Sequence, residues 1–326
     1  MRFLATLFRR LMYAFFLLVA VLVLNFMLIH LAPGDPADVI AGEMGGATEE
    51  MLADIRAAYG LDKPIAEQLF VYLGKVARGD LGHSFYFNQP VTDLILERVG
   101  ATILLVITAL ALSVFAGTFL GVLASRKPNG FFSHFVTVFS LLGYAAPVFW
   151  TGMMLLILFA SWVPIFPVSG MYNVALNGGR LARAFDIFHH LMLPMLTLAI
   201  IYLAQYSRLS RASMLDVLGS DYIRTARAKG VSERMIIYKH ALKNAILPVV
   251  TMAGLQMSYL FSGAILVETV FNWPGLGRLA FESILRRDYP TILGILFFST
   301  FIVISANLLT DLSYRLIDPR IHAGAK

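Results

Sequence analysis

Residues 11–33 read LMYAFFLLVAVLVLNFMLIHLAP, and residues 99–125 read VGATILLVITALALSVFAGTFLGVLAS. Neither stretch contains an Asp, Glu, Lys or Arg residue. A helix needs about 20 apolar residues to cross the hydrocarbon core of a bilayer. Four further stretches without these charged residues reach that length: residues 130–179, 187–207, 244–267 and 289–310. The pattern predicts a chain that crosses a membrane repeatedly as helices.

The stretch 130–179 is about twice as long as one crossing requires. Its second part contains Pro164, Pro167, Asn173 and Asn177, which are typical of loops. We therefore expect a helix to about Phe159, followed by an uncharged external loop. The resulting fold class is all-α, a polytopic membrane bundle of six transmembrane helices.

The composition supports this class and excludes others. Hydrophobic residues make up 58% of the 326 residues and charged residues 14%, whereas soluble domains carry about 25% charged residues. The chain has no cysteine, which excludes disulfides, a thiolate nucleophile and a cysteine-ligated metal. The motifs of zinc proteases, serine hydrolases and P-loop ATPases are absent from the sequence. We expect no catalytic, cofactor or metal site in this chain.

The distribution of charge predicts the orientation in the membrane. Residues 208–243 contain eight of the 26 Lys and Arg residues, and cytoplasmic loops carry such an excess. With six crossings, both termini are then cytoplasmic. The net charge of +6 follows this membrane pattern, so we expect anionic lipid and no nucleic acid as a partner. Residues 11–33 exceed the length of a signal-peptide core and lack an A-x-A-like site, which predicts an uncleaved first helix.

Three parts follow from these assignments: residues 1–32, the N-terminus and first helix; residues 33–98, an external segment; and residues 99–326, a five-helix core. The external segment is predicted to be helical, with one helix after Thr48 and a second that starts at Pro64 and ends near Gly79. It is either a docking surface for an external partner or a lid that packs only on its own helices.

The cytoplasmic connection at residues 208–248 is too long for a simple link between helices. Asp221 is placed to cap a short helix over residues 222–229 that stops at Gly230, and Ser232 and Glu233 restart a helix that runs through His240. A short rigid helix between two bends suits docking to another protein. The alternative is that its basic residues only contact anionic lipid.

Specific side chains of this segment are predicted to meet a partner. Tyr222 and Ile223 are expected to fill an apolar pocket, and Ala226 and Ala228 to allow close approach. Three cations are expected to meet acidic residues of the partner: Arg224, Arg227 and Lys229.

The sequences DYIRTARAKG (221–230) and HALKNAILP (240–248) resemble the cytoplasmic EAA loop of binding-protein-dependent ABC permeases, in its dipeptide/oligopeptide/nickel form. The general family pattern begins with Glu, and Thr225 stands at that position here. In this departure the chain resembles the subfamily. Other landmarks of the subfamily occur in the same order: Pro33-Gly34-Asp35-Pro36, Gly60-Leu61-Asp62-Lys63-Pro64, Gly79-Asp80-Leu81-Gly82, Pro167-Val168-Ser169-Gly170, Trp273-Pro274-Gly275-Leu276-Gly277 and Arg287-Asp288-Tyr289-Pro290.

The resemblance implies a permease subunit of an ATP-driven importer of peptides in the bacterial inner membrane, with the type I permease fold. Within the subfamily, the chain is similar to the first of the two paired permease subunits. The implied partners are a second permease subunit, two ATP-binding subunits that carry ATP and Mg²⁺, and an external solute-binding protein. The implied coupling helix comprises Tyr222, Ile223, Arg224, Thr225, Ala226, Arg227, Ala228, Lys229 and Gly230. Supporting residues of the loop are Asp221, His240, Asn244 and Pro248.

Several alternatives stay open at this point. The transported solute is a peptide, nickel or another small solute. Two alternatives from other functional classes are a self-sufficient channel or ion-coupled carrier, and a membrane anchor for a signalling complex. Uncharged polar residues either line a pathway or join helices: Asn25, Gln205, Gln256, Ser258 and Asn307. The pair His189-His190 and His30 are expected at interfaces rather than on a metal. Pro147, Pro194 and Pro248 are candidate kinks, and Gly117-x-x-x-Gly121 a close helix contact.

Overall fold

The computed structural model describes residues 2–31, 48–49, 52–53, 56, 62–84, 86–176 and 178–317. These residues are almost entirely helical. The α-helices are α1 Arg2–Leu31, α2 Ile65–Ala77, α3 Val91–Ser125, α4 Phe131–Ala145, α5 Val148–Leu156, α6 Arg180–Leu218, α7 Asp221–Ala228, α8 Glu233–Met235, α9 Leu242–Ala245, α10 Leu247–Val270, α11 Leu276–Arg286 and α12 Tyr289–Ile317. Two π-helical turns, Ile157–Trp162 and Ile236–Ala241, and two short strands, β1 His83–Ser84 and β2 Gln89–Pro90, complete the set.

The described helices agree with four of the six predicted crossings. Among the described residues, four helices are long and apolar enough to span a membrane, and they contain Phe8–Leu28, Val91–Ser125, Arg180–Leu218 and Tyr289–Leu308. A fifth is reached if the bent pair Phe131–Ala145 and Val148–Trp162 is counted as one span. The sixth predicted crossing falls on α10, whose described apolar part, Leu247–Gln256, is shorter than a crossing requires, so the count of six stays a prediction. The all-α polytopic class is therefore confirmed.

The third predicted crossing is not one straight helix, so the expectation of a continuous helix to Phe159 is wrong. The two parts meet at an angle of 106°. Pro147 has no N–H to donate, and it holds the preceding Ala146 in an extended conformation with φ −74° and ψ 132°. The other two candidate kinks differ, because Pro194 lies within the unbroken α6 and Pro248 within the first turn of α10.

The chain forms two compact units, one of Met1–Gly100 with Leu279–Leu308 and one of Ala101–Arg278 with Leu309–Lys326. The predicted division at residues 33 and 99 concerns membrane topology and stays a prediction. In the first unit, α2 confirms the helix predicted after Pro64. Of the helix predicted after Thr48, positions 49, 52, 53 and 56 are described and are helical, and the Leu52 N–H donates to the Thr48 carbonyl oxygen at 3.0 Å. The β1–β2 hairpin was not predicted.

The hairpin of the first unit is fixed to the start of α12 by a buried carboxylate. Ser84 Oγ donates to Asp288 Oδ2 at 2.5 Å, and Thr291 Oγ1 donates to the same oxygen at 2.6 Å. Asp288 and Ser84 are both fully buried. This contact gives the Arg287-Asp288 landmark a structural role.

The second unit has a core centred on large buried side chains, among them Leu105, Leu193, Phe271 and Trp273. In this unit α3 and α6 approach each other closely at the two glycines of the Gly117-x-x-x-Gly121 pattern. A Cβ atom added to Gly121 would lie 2.5 Å from the Ser207 carbonyl oxygen. The predicted close helix contact is confirmed.

Candidate functional site

The candidate site is the segment from α7 to the start of α10, in the second unit. Helix α6 ends at Leu218, and the chain turns through Gly219 and Ser220 into α7. The helix covers Asp221–Ala228, one residue earlier than predicted, and Ser220 rather than Asp221 holds the N-cap position. The expectation that Asp221 caps the helix is wrong. The segment is nevertheless a short helix between two bends.

Ile223 lies inside this chain rather than on the surface. Its exposed fraction is 0%, and it packs in a cluster with Met214, Ile236 and Ala241. Ala226 is half-buried against the same cluster. The expectation that Ile223 enters a partner's pocket is therefore wrong, because burying this apolar face stabilises the position of α7 on its own subunit.

Tyr222 joins α7 to the helical segment that follows. Asn244 Nδ2 donates to the Tyr222 hydroxyl at 2.9 Å, and that hydroxyl donates to the His240 carbonyl oxygen at 3.4 Å. The structure thus brings together Tyr222 and two of the predicted supporting residues. Pro248 lies apart from them, exposed in the first turn of α10.

Arg227 is paired within the chain. Its Nε donates to Glu233 Oε1 at 2.7 Å and its second guanidinium nitrogen to Oε2 at 3.4 Å. This hydrogen bond lowers the pKa of Glu233 and raises that of Arg227. A lowered carboxyl pKa means that the pairing is complete at neutral pH and is lost only as the pH falls through that lowered value. Arg227 is thus already paired within its own chain, and its contact with an acidic residue of a partner stays a prediction.

The pair closes a turn at Gly230, where φ is +77°. A Cβ atom at this position would meet nothing within 4 Å. The left-handed backbone, rather than a lack of space, therefore makes glycine suitable here. Gly230 ends the helix as predicted.

The restarted helix is interrupted by a π-helical turn that was not predicted. Ser232 is the N-cap of α8, which agrees with the predicted restart of the helix at Ser232 and Glu233. The residues that follow, Ile236–Ala241, are π-helical rather than α-helical. Ile236, Ile237 and Ala241 are all buried beneath α7. The turn places these three side chains on one buried side.

What remains exposed on α7 is polar and basic. Tyr222 is 44% exposed, and the Arg224 side chain, 3.4 Å from Asp221, is 73% exposed. Thr225, Ala228 and Lys229 are exposed as well. Lys229 has no side-chain partner among the residues that the structure describes. The segment offers a cationic outer surface on a helix that is fixed by packing and by two side-chain links.

The predicted pathway residues do not form one group. Asn25, in the first unit, is buried and donates to the Leu293 carbonyl oxygen at 3.4 Å, as expected of a residue that joins helices. Gln256 is buried. Asn307 is exposed, and the side chain of Ser258 lies outside the described part of the chain. Gln205 lines an open groove.

The histidines singled out in the sequence bond to protein atoms. His189 Nε2 lies 2.7 Å from the Ile165 carbonyl oxygen, and His190 Nδ1 lies 3.3 Å from Asp186 Oδ1. In the first unit, His30 Nε2 lies 2.8 Å from Gln68 Oε1. The described residues contain no cluster of three His, Cys, Asp or Glu side chains that could hold a metal ion.

One important residue, Glu268, was missed. It is fully buried at the end of α10, and its carboxylate accepts from Thr102 Oγ1 at 2.6 Å and from the Arg278 N–H at 3.0 Å. A Cβ atom on Gly275 would lie 2.2 Å from this carboxylate. The tryptophan–proline–glycine landmark therefore wraps a buried acid. The signal in the sequence was an acid at the edge of an apolar stretch, followed by two close glycines.

The chain is similar to known proteins over nearly its whole length. The family model described as "Binding-protein-dependent transport system inner membrane component" matches residues 117–323, and the corresponding N-terminal model matches residues 1–106. A probable peptide ABC transporter permease of Sinorhizobium fredii is 42% identical over 313 residues, covering 96% of this chain and 97% of the relative. The dipeptide transport system permease DppB of Escherichia coli K12 is 41% identical over 320 residues, covering 93% and 94%.

A solved structure also matches. A chain of the methionine ABC transporter MetNI, in inward-facing conformations, gives a TM-score of 0.54 at 16% identity and covers 69% of this chain and 96% of its own. This likeness shows that the two chains share a fold.

Proposed function

This chain belongs to the family of binding-protein-dependent transport system inner membrane components, and from that premise we propose that it is a peptide-translocating permease subunit of an ATP-driven importer. Curated relatives named for peptide or dipeptide transport match it over nearly its whole length. Its partners are then a second permease, two ATP-binding subunits and an external peptide-binding protein, and both of its termini are cytoplasmic.

The proposed mechanism rests on how α7 is held in place within the chain. Its apolar face, with Ile223, is buried in its own subunit, while Tyr222 and Arg227 link it to the following segment. A helix held in this way moves as one body with the helices beneath it. We infer that α7 is the coupling helix, and that its exposed face, with Arg224 and Lys229, docks on an ATP-binding subunit.

In this mechanism the ATP-binding subunits supply the energy and this chain supplies the passage. When the two ATP-binding subunits close on ATP, each moves the coupling helix that it holds. Because α7 is packed on Met214 of α6 and Ile236 beyond the turn, the displacement reaches the spanning helices and switches the permease pair between outward-facing and inward-facing states. ATP and Mg²⁺ bind to the partner subunits, and this chain needs no cofactor.

The test is uptake of a labelled dipeptide into proteoliposomes that contain both permeases, both ATP-binding subunits and the binding protein. Uptake should require ATP and the binding protein. A chain that moves solute alone, without ATP, would be a channel or an ion-coupled carrier and would overturn the proposal. Uptake of nickel or another small solute in place of peptides would retain the importer and replace its substrate.

A further inference from the structure

A groove on the second unit lies between α4 and α6, at the end of α6 that leads to the coupling helix. Tyr144 of α4 lines one side, and Gln205, Arg208 and Ala212 of α6 line the other. The described residues that line it include no acidic side chain. The inference drawn from this groove rests on the proposed function.

Gln205 contributes an acceptor that lacks a donor. Its Oε1 atom is buried and has no hydrogen-bond partner within the described ranges of the chain. A buried carbonyl oxygen without a donor is unfavourable, and native structures leave few such atoms unsatisfied. A ligand with an N–H group would satisfy it.

Arg208 contributes a cation that lacks an anion. It is exposed and has no hydrogen-bond or ion-pair partner among the described residues, whereas the neighbouring Arg211 is already bound to Ser133 Oγ at 2.9 Å and to the Pro128 carbonyl oxygen at 3.2 Å. Positions 205 and 208 are three residues apart on a helix, so their side chains are neighbours on one face. A guanidinium pairs best with a carboxylate or a phosphate.

The two groups together select a ligand. The C-terminal residue of a peptide carries an amide N–H and a carboxylate within one residue. We propose that this groove is a peptide exit subsite, in which the last N–H of the peptide donates to Gln205 Oε1 and its carboxylate pairs with Arg208. The Tyr144 hydroxyl, also without a partner among the described residues, can donate to the same carboxylate. The subsite lies on the cytoplasmic side in the proposed orientation, where a translocated peptide leaves.

The absence of cysteine from the chain allows a direct experiment. The variant Ala212→Cys places one thiol in the groove, where Ala212 is exposed. In the assembled importer, in membranes with the cytoplasmic side accessible, the rate of modification of this chain by an impermeant maleimide is measured by mass. Free alanyl-alanine should slow the modification several-fold. Neither alanyl-alanine amide, in which the C-terminal carboxylate is replaced by an amide, nor inorganic phosphate should slow the modification.

Arg208→Gln and Gln205→Leu, each added to Ala212→Cys, should abolish the protection. Arg234→Gln is the matched control, because Arg234 is an exposed cation outside the groove, and it should leave the protection intact. Equal protection by the amide or by phosphate, or protection that survives Arg208→Gln, overturns the subsite. If the Ala212→Cys importer takes up peptide with ATP but alanyl-alanine does not slow modification of its thiol, only the subsite is refuted. If the importer takes up no peptide, the proposed function is refuted.

Discussion

Arg227 and Glu233 form an ion pair across the turn at Gly230, with the guanidinium Nε 2.7 Å from the carboxylate Oε1. The pair joins the end of the proposed coupling helix to the segment that returns to the membrane. Both side chains are substantially exposed, so its contribution to global stability is small. Its effect is expected on the orientation of α7.

Charge reversal tests this orientation. Arg227→Glu and Glu233→Arg should each reduce ATP-driven peptide uptake several-fold, since like charges would then face each other across the turn. The double variant should recover most of the uptake. Lys63→Gln, which removes the exposed Lys63–Glu67 pair of the external segment, is the control and should have no effect. Failure of the double variant to recover would mean that the pair does not position the helix.

Gly230→Ala should weaken assembly with the ATP-binding subunits. A non-glycine residue at φ +77° is strained by about 1–2 kcal/mol, which shifts the turn even though space is available. Gly230→Asn should be milder because asparagine tolerates this region. Co-purification of the subunits measures the effect. Gly219→Ala, at φ −79°, should behave as wild type, and an equal loss in both alanine variants would refute a conformational cause.

Ile223→Ala should destabilise the segment by about 2–5 kcal/mol, the usual range for truncating a buried branched aliphatic side chain. Ile223→Val should cost about 0.5–1.5 kcal/mol. Thermal unfolding of the purified subunit and ATP-driven uptake should both decline in that order. Preserved stability with lost uptake would instead place Ile223 in the contact with the partner, as the sequence first suggested.

The sequence predicts the helices better than it predicts their environment. The absence of charge over about 20 residues is a local property, so the crossings were recognisable, and Gly230 was recognisable because only glycine readily takes a left-handed turn. The burial of Ile223 was not predictable, because an eight-residue helix can turn its apolar face toward its own subunit or toward a partner. The Arg227–Glu233 pair and the 106° break at Pro147 depend on how segments pack.

Gly121→Ala should separate α3 from α6. The added Cβ would lie 2.5 Å from the Ser207 carbonyl oxygen and 2.7 Å from Ser210 Cβ, and overpacking of this kind costs about 1–3 kcal/mol. Gly100→Ala is the control in the same helix, since a Cβ there meets nothing within 4 Å, and it should be neutral or stabilising. Thermal unfolding in detergent separates the two, and equal melting temperatures would contradict the close contact.

Thr102→Val should loosen the loop from Asn272 to Arg278. The Thr102 hydroxyl donates to the buried Glu268 and accepts from the Leu276 N–H at 2.8 Å, so its removal takes one donor from the Glu268 carboxylate and the acceptor from the Leu276 N–H, at about 1–3 kcal/mol each. Thr102→Ser should keep both bonds. Thr108→Val is the control, because Thr108 donates only to carbonyls of its own helix. Limited proteolysis of the loop reports the change, and resistance in the valine variant would exclude the proposed restraint.

The proposed coupling helix buries its apolar face within its own chain and exposes only a few polar side chains, and this division has an evolutionary consequence. Substitutions at Arg224, Thr225 or Lys229 alter the outer surface without disturbing the packing around Ile223. If α7 docks as proposed, drift at these few surface positions changes which ATP-binding subunit the chain fits, while the buried packing beneath them stays the same.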